Sequence, residues 1–357
     1  MKKSLCIVYL AAVMAICLFF SVGAIFLRPD EAAIAAEGRE LTPMPSLKTE
    51  DGSFNRDFTA GLEPVFAERF ALRSQLVTAN SILKAGLFGT GTEQVIVGRE
   101  GYLFFGETLD DYMGTNPMTD DEISAAADAL AAMAAYADGQ GAQFLFAAAP
   151  NKNTVYGEYM PARYLPAEEE SDLDRLYAAL DAREVAYVDL RPLFDTDGLY
   201  HKRDTHWNGE GARLAYDAMM DALGLAHDDF ASAPKVTVTD FPGDLDALLT
   251  PTLERFDEDI VCTLPEFRYT SNYATAMDLI ISTACDTAPD RAAMIFRDSF
   301  GSALIPYFAA SFADVRFERA NPYRLDQLER KPADVVIVEI AERNLRDLIG
   351  ADERVKK

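Results

Sequence analysis

Apolar and polar positions change rhythm several times along this chain. Behind Lys2 and Lys3, an almost unbroken apolar run extends from Leu5 to Leu27. A bilayer is crossed by about 20 apolar residues, whereas a cleaved signal has a core of about 7–15. The run predicts an anchor over residues 1–28, with the lysines cytoplasmic and the remainder exported. Cleavage near Ala32–Ala36, giving a secreted protein, is the alternative. Residues 29–57 carry Pro29, Pro43 and Pro45, several charges and little periodicity, as a tether would. From 58 to 88, apolar residues recur at helical spacing (Phe58, Leu62, Val65, Phe66, Phe70).

Residues Val95–Phe105 place two apolar strands around a polar turn flanked by Gly98 and Gly101, the pattern of a hairpin. Helices and strands then alternate. An alanine-rich helix over about 121–138, capped by Asp120 or Asp121, precedes the strand Gln143–Ala149. A helix opened by Ser171 precedes the strand Ala186–Leu190, and another helix runs from Asn208 to Leu223. Later come the strand Ala293–Phe296, the helix Ser302–Phe312, the strand Asp314–Glu318, a helix near Leu325–Glu329 and the strand Asp334–Ile340. Short apolar strands separated by helices predict a parallel sheet covered on both faces. Residues 229–290 are less regular and read as an excursion between core elements. The predicted globular domain is 58–350.

Composition narrows the partners. The chain has 357 residues, 49% of them hydrophobic, and a formal net charge of -25. A packed core is expected. Nucleic acid is excluded, because phosphate binding needs clustered Lys and Arg. Of the four cysteines, Cys6 and Cys17 lie in the apolar run. Cys262 and Cys285 form either an extracytoplasmic disulfide or two free thiols. Cysteine and histidine spacing suits no usual metal site, and the chemistry read below calls for no cofactor.

Two motifs carry that chemistry. Arg203-Asp204-Thr205-His206-Trp207-Asn208-Gly209 holds the single tryptophan and one of three histidines. His206 can act as a base near neutral pH, and Asp204, two residues away in an extended segment, can orient it. Asn208 is placed to cap the following helix. Met294–Gly301 supplies a nucleophile: Ser299 falls in the turn between a buried strand and a helix start. Serine needs such a base, and N–H groups at the helix start would stabilise an oxyanion. Both motifs follow strand ends, where sites form in α/β sheets. Asn151, Lys152, Tyr156 and Arg319 also follow strands and are candidates for oxyanion or substrate contact. For Asn151 and Lys152 the bland alternative is a turn with a solvated lysine.

These residues resemble a family. Asp204-Thr205-His206-Trp207 and Asp298-Ser299-Phe300 are similar to the SGNH-hydrolase-like domain of the alginate O-acetylation proteins AlgX and AlgJ and of membrane-anchored DHHW proteins. Val95–Phe105, Ala149-Pro150-Asn151-Lys152 with Tyr156, Gly243-Asp244-Leu245 and Val338–Leu345 match in order, over roughly residues 60–346. The resemblance implies a three-layer α/β/α sandwich with a mostly parallel sheet. It implies Ser299 as nucleophile, His206 as base and Asp204 as its orienter. It also implies acetyl transfer to, or removal from, polysaccharide hydroxyls, with acetyl groups delivered by a membrane-bound O-acyltransferase. Two positions depart from the pattern: Thr205 replaces the second His of DHHW, and Arg297 stands where glycine is usual.

The expected function is therefore an extracytoplasmic serine O-acetyltransferase or acetylesterase working on a cell-surface glycan through an acetyl-serine intermediate. The alternative is a non-catalytic glycan-binding or assembly subunit that keeps the fold.

Overall fold

The computed structural model describes residues 2–26, 41–49, 51–69, 72–168 and 170–352. The chain divides into two compact units. One comprises Met1–Ile96 with Pro242–Arg255, and the other Val97–Phe241 with Phe256–Lys357.

The first unit is helical. It contains α1 (Lys2–Phe26), α2 (Phe58–Arg69) and α3 (Arg73–Phe88). The helical spacing over 58–88 thus belongs to two helices, and Leu72, ahead of α3, has the left-handed φ of 59°. That conformation is costly for a residue with a Cβ and does not continue a helix. Within this unit Thr252 donates its backbone N–H to Thr78 Oγ1 at 3.2 Å, joining the 242–255 segment to α3. Among the described residues, no helix is long and apolar enough to cross a membrane. Residues 1, 27 and 28 of the expected anchor, and residues 29–40 and 50 of the expected tether, lie outside the described residues.

The second unit is built on a seven-stranded sheet. Strand β1 (Val95–Val97) runs from the first unit into the second, where a turn closed by Gly98 N–H to the Tyr102 carbonyl at 2.9 Å leads to β2 (Leu103–Phe105). The sheet follows from β3 (Gln143–Ala149), β4 (Tyr187–Asp189), β7 (Arg268–Tyr269), β8 (Ile280–Ala284), β9 (Ala292–Phe296), β10 (Asp314–Glu318) and β11 (Val335–Ala341). Its order is β4-β3-β11-β9-β10-β8-β7. The first five strands run parallel, while β8 pairs antiparallel to β10 and β7 antiparallel to β8. The sheet is therefore mixed rather than wholly parallel. Both antiparallel strands come from the stretch read as an excursion, which also forms a separate ribbon of β5 (Lys235–Pro242) and β6 (Phe256–Cys262). Strands β5 and β7 are largely exposed and β6 is only partly buried, so their apolar pattern carried little signal, whereas β8 is buried at four of its five positions.

Both sheet faces are covered. On one, Phe144, Phe146 and Ala148 of β3 and Val336, Val338 and Ile340 of β11 pack with Ala126, Leu130 and Met133 of α4 (Asp120–Gly139) and Leu173, Leu176 and Leu180 of α5 (Asp172–Asp181). The intervening strand residues, such as Leu145 and Ile337, are equally buried. They point to the opposite face, since side chains alternate along a strand. The helices α6 (Gly209–Ala222) and α7 (Ile305–Ser311) supply further buried apolar residues to this unit, including Tyr216, Met219 and Phe308.

Local signals set the helix starts. Ser171 caps α5 by accepting from Asp174 N–H at 3.1 Å, and Asn208 caps α6 by accepting from Glu210 and Gly211. The cap of α4 is Thr119 rather than Asp120 or Asp121. Its hydroxyl accepts from Glu122 N–H at 3.2 Å while Glu122 Oε2 accepts from Thr119 N–H at 2.8 Å. That reciprocal box satisfies two orphan donors, leaving the aspartates in the first turn, where they favour the helix dipole. The helix expected over 302–312 is a 3-10 turn, Phe300–Ser302, followed by α7. We expect Thr119→Ala to lower stability by about 1 kcal/mol, read from the midpoint of chemical denaturation. An unmoved midpoint would show that this cap contributes nothing to global stability.

Candidate active site

Ser299 and His206 come together from segments 93 residues apart. Strand β9 ends at Phe296, and Arg297 continues its ladder by donating its N–H to the Glu318 carbonyl at 2.9 Å. Ser299 then sits in a tight turn braced by Asp298. One oxygen of Asp298 accepts from Phe300 N–H at 2.9 Å. The other accepts from Ala341 N–H at 2.7 Å and Asn344 Nδ2 at 3.1 Å. The Ser299 turn is thereby tied to the end of the neighbouring strand β11.

Behind the turn, Gly301 approaches buried groups closely. A Cβ there would lie 2.6 Å from both Arg297 Cβ and Glu339 Oε2. Glu339 is fully buried, and burial, followed by the charge of Asp298, pushes its carboxyl well above the usual range. Arg297 is also buried and donates to the Asp298 carbonyl at 3.0 Å and Ser302 Oγ at 2.9 Å. Burial and then neighbouring Arg319 lower its guanidinium to about 10, which leaves it charged at neutral pH. Replacing the usual glycine thus adds a brace to the turn, and the long side chain is directed into the protein.

The histidine comes from a closed loop. Tyr200 and Trp207 form an antiparallel bridge, and Asn208 N–H donates to the Leu199 carbonyl at 2.9 Å. Asp204 Oδ1 accepts from both the backbone N–H of His206, at 2.9 Å, and the ring Nδ1, at 2.7 Å. This is a local side-chain-to-backbone turn rather than the expected extended segment. The other ring nitrogen, Nε2, lies 2.9 Å from Ser299 Oγ. With Nδ1 protonated toward Asp204, Nε2 is the acceptor for the hydroxyl. The Asp204 side chain is 5% exposed and that of His206 26%. Trp207 is buried and donates its indole N–H to the Phe300 carbonyl at 3.1 Å, linking the two motifs directly.

Lys152 holds this loop from beneath. Its buried ammonium donates to the carbonyls of His201, Lys202 and Asp204 at 3.0, 3.3 and 2.6 Å. It is a loop brace rather than an oxyanion or substrate donor. Tyr156 is likewise buried, donating to the Thr196 carbonyl at 2.8 Å and accepting from Leu199 N–H at 3.1 Å. Asn151 is buried too; its N–H meets Glu342 Oε2 at 2.7 Å and its amide donates to Asp111 at 3.2 Å. Arg319 donates to the Met277 carbonyl at 2.8 Å. None of the four lines the cavity that contains Ser299 and His206.

The oxyanion donors also differ from expectation. Phe300 N–H is taken by Asp298, Gly301 N–H by Glu339 and Ser302 N–H by the Ser299 carbonyl. Ser299's own N–H is the donor of that turn with no partner among the described residues. Cys262 and Cys285 are free thiols, Cys285 buried and Cys262 half-buried. Among the described residues, Asp217, Asp221 and His227 bring one ligand atom each within 4.8 Å of one another, apart from Ser299 and His206. His227 Nε2 is 2.8 Å from Asp217.

Residues 95–261 match the family described as the SGNH hydrolase-like domain, acetyltransferase AlgX. The resemblance drawn from the motifs stands for that segment. No curated protein matches significantly. Among solved structures, Bacillus cereus PatB1 is similar, at 17% identity over 70% of this chain and 96% of that one, with a TM-score of 0.56. A DHHW family protein from Eubacterium siraeum is similar at 16% identity over 74% and 95%, with a TM-score of 0.52. The O-acetyltransferase domain of Pseudomonas putida AlgJ reaches 20% identity over 71% and 92%, with a TM-score of 0.49. The first two share this chain's fold, and the SGNH hydrolase-like description is that of the family matched by residues 95–261.

Two substitutions test the supports. Lys152→Met strands three loop carbonyls, each costing about 1–3 kcal/mol when buried without a partner. We expect a lower denaturation midpoint, and wild-type stability would refute the brace. Glu342 accepts from Asn151 N–H and Thr154 Oγ1, yet burial pushes its carboxyl up to about 7. The folded state then binds a proton more tightly than the unfolded one, so this group's stabilisation fades as pH rises from about 4.5 to 7. Relative to wild type, Glu342→Gln should gain stability across that window; a pH-independent difference contradicts the assignment.

Proposed function

We propose that this protein is an extracytoplasmic serine O-acetyltransferase, or acetylesterase, acting on a polysaccharide. The observation that carries the reading is the relay from Asp204 Oδ1 to His206 Nδ1 at 2.7 Å and from Nε2 to Ser299 Oγ at 2.9 Å. The family description of residues 95–261 as acetyltransferase AlgX supports acyl transfer as the chemistry.

In the proposed reaction, Ser299 Oγ attacks the carbonyl carbon of an acetyl ester while His206 Nε2 takes the hydroxyl proton. Asp204 stabilises the imidazolium and fixes its tautomer. Ser299 N–H donates to the developing oxyanion. Collapse returns the proton to the departing alkoxide, releasing an alcohol and leaving acetyl-Ser299. A glycan hydroxyl then attacks, giving up its proton to His206, which passes it to Ser299 Oγ as the acetyl–Oγ bond breaks; water in place of the glycan yields acetate. The apolar N-terminal run supports a membrane anchor over residues 1–28, which would keep the domain beside a membrane-bound O-acyltransferase able to supply acetyl groups. A binding or assembly subunit that uses the same cleft for recognition is the second reading, supported by the absence of a second oxyanion donor in the turn among the described residues.

Ser299→Ala should reduce turnover of an acetyl ester by on the order of 10³-fold or more, with an unchanged thermal unfolding profile. Full activity in that variant would sink the nucleophile assignment. A folded wild-type protein that neither turns over the ester nor reacts with a serine-directed sulfonyl fluoride would favour the binding subunit.

A further inference from the structure

Ser299 and His206 open into a cavity of about 360 Å³, within the range of about 300–1,000 Å³ usual for small-molecule sites. Phe241, Val261, Leu264, Met277 and Pro306 give it apolar walls. Its fixed charge has one sign. Among the described residues no lysine or arginine lines the cavity, and Asp259 is the one carboxylate that does. Two buried cations close to the serine and histidine are committed to protein oxygens. Lys152 donates to the His201, Lys202 and Asp204 carbonyls, and Arg297 to the Asp298 and Ala276 carbonyls and to Ser302 Oγ. Asp259 Oδ1 accepts from the N–H groups of Gly209 and Ile260, both at 2.8 Å, which ties β6 to the start of α6. Its second oxygen, Oδ2, has no hydrogen-bond partner among the described residues, and the side chain is 21% exposed. Asp257 and Glu258 precede it on β6, in a chain of net charge -25. An open carboxylate oxygen accepts hydrogen bonds only, and charge of one sign beside a cleft selects a ligand by its own charge.

We propose that Asp259 sets the acceptor specificity of this cavity: the sugar unit that receives the acetyl group carries no carboxylate and donates a hydroxyl or ammonium hydrogen bond to Asp259 Oδ2. The proposal deepens the reading of Ser299 as the acetyl carrier and rests on it. Neutral sugars and amino sugars supply such a donor, whereas a uronate brings a like charge with no cation in the walls to offset it. In the transfer half-reaction, the sugar hydroxyl attacks the carbonyl carbon of acetyl-Ser299 and gives its proton to His206 Nε2. His206 passes that proton to Ser299 Oγ as the acetyl–Oγ bond breaks and the sugar ester remains. Asp259 takes no part in the proton transfer; it holds a neighbouring donor group of the same ring. Phe241 stacks on His201 with centroids 3.9 Å apart. His201 is in turn fixed by its Nδ1 contact with the Glu258 carbonyl at 2.9 Å. That stack gives the C–H face of a sugar ring a rigid apolar wall.

The test uses the full-length protein and three sugars that share one ring: methyl β-glucoside, its 2-amino-2-deoxy analogue and methyl β-glucuronide. Ionic strength is held constant, at a pH where the amino sugar is charged. In the binding arm, dissociation constants for Ser299→Ala come from ligand-observed NMR titrations. The glucuronide should bind at least about tenfold more weakly than the better of the other two. Tighter binding of the amino sugar identifies the donor as an ammonium, and equal or tighter binding of the glucoside identifies it as a hydroxyl. Asp259→Asn in the same background keeps an oxygen for Gly209 and Ile260 while removing the charge, so the gap should close to about twofold or less. A purely structural role for Asp259 would leave that gap unchanged, and an unchanged gap overturns the assignment. Glucuronide binding as tight as that of the glucoside also overturns it, as does the absence of saturable binding by any of the three. In the catalytic arm, wild-type protein receives p-nitrophenyl acetate as donor, and the acetylated sugars are quantified by mass spectrometry. The yield of acetyl ester should follow the order of affinities, and a glucuronide acetylated fastest contradicts the proposal. Wild-type protein that releases no p-nitrophenol would remove Ser299 as the acetyl carrier, while the binding arm still decides the role of Asp259.

Discussion

The placement of Ser299 depends on the carboxylate next to it in the chain. Asp298 accepts three hydrogen bonds, from Phe300 N–H, Ala341 N–H and Asn344. These fix the serine turn to the end of the adjacent parallel strand. A serine on an otherwise unsupported turn would sample orientations in which its hydroxyl misses the imidazole. Charge-assisted bonds to backbone N–H groups are stronger than neutral ones, so the constraint is stiff. The buried Glu339 and Arg297 press on the same turn from behind, with Gly301 as the only residue type that fits between them.

The histidine half is held by a different device. A buried ammonium is expensive to desolvate and persists only when its protons are matched by acceptors. Lys152 meets that condition with three carbonyls of the loop that bears Asp204 and His206. Trp207 then joins this loop to the serine turn through the Phe300 carbonyl. The two motifs are therefore positioned independently and locked together by an indole N–H.

Charge is distributed unevenly between surface and site. The chain carries a net charge of -25, yet the cavity at Ser299 is walled largely by apolar groups. Acidic residues that do become buried are held by hydrogen bonds or shifted toward their neutral forms, as in Glu339 and Glu342. An apolar wall beside the relay strengthens its electrostatics, because the local dielectric is lower there than in water.

Features governed by local interactions were legible in the sequence. The strand Gln143–Ala149 has the bounds its unbroken apolar run indicated, and Ser171 and Asn208 cap the helices they precede. The Asp-x-His and Asp-Ser pairs also stood out, because their residue types and places after strands are visible in one dimension. Tertiary structure decided the rest. Whether Lys152 and Tyr156 face a substrate or the protein interior depends on the 199–208 loop folding over them. The antiparallel β7 and β8 and the β5–β6 ribbon depend on partners distant in sequence and have weak periodicity of their own. The availability of oxyanion N–H groups turned on two carboxylates, Asp298 and Glu339, whose targets are set by strand neighbours. Propensity and capping act within a few residues and can be read from the chain, whereas burial and hydrogen-bond assignment exist only once remote segments meet.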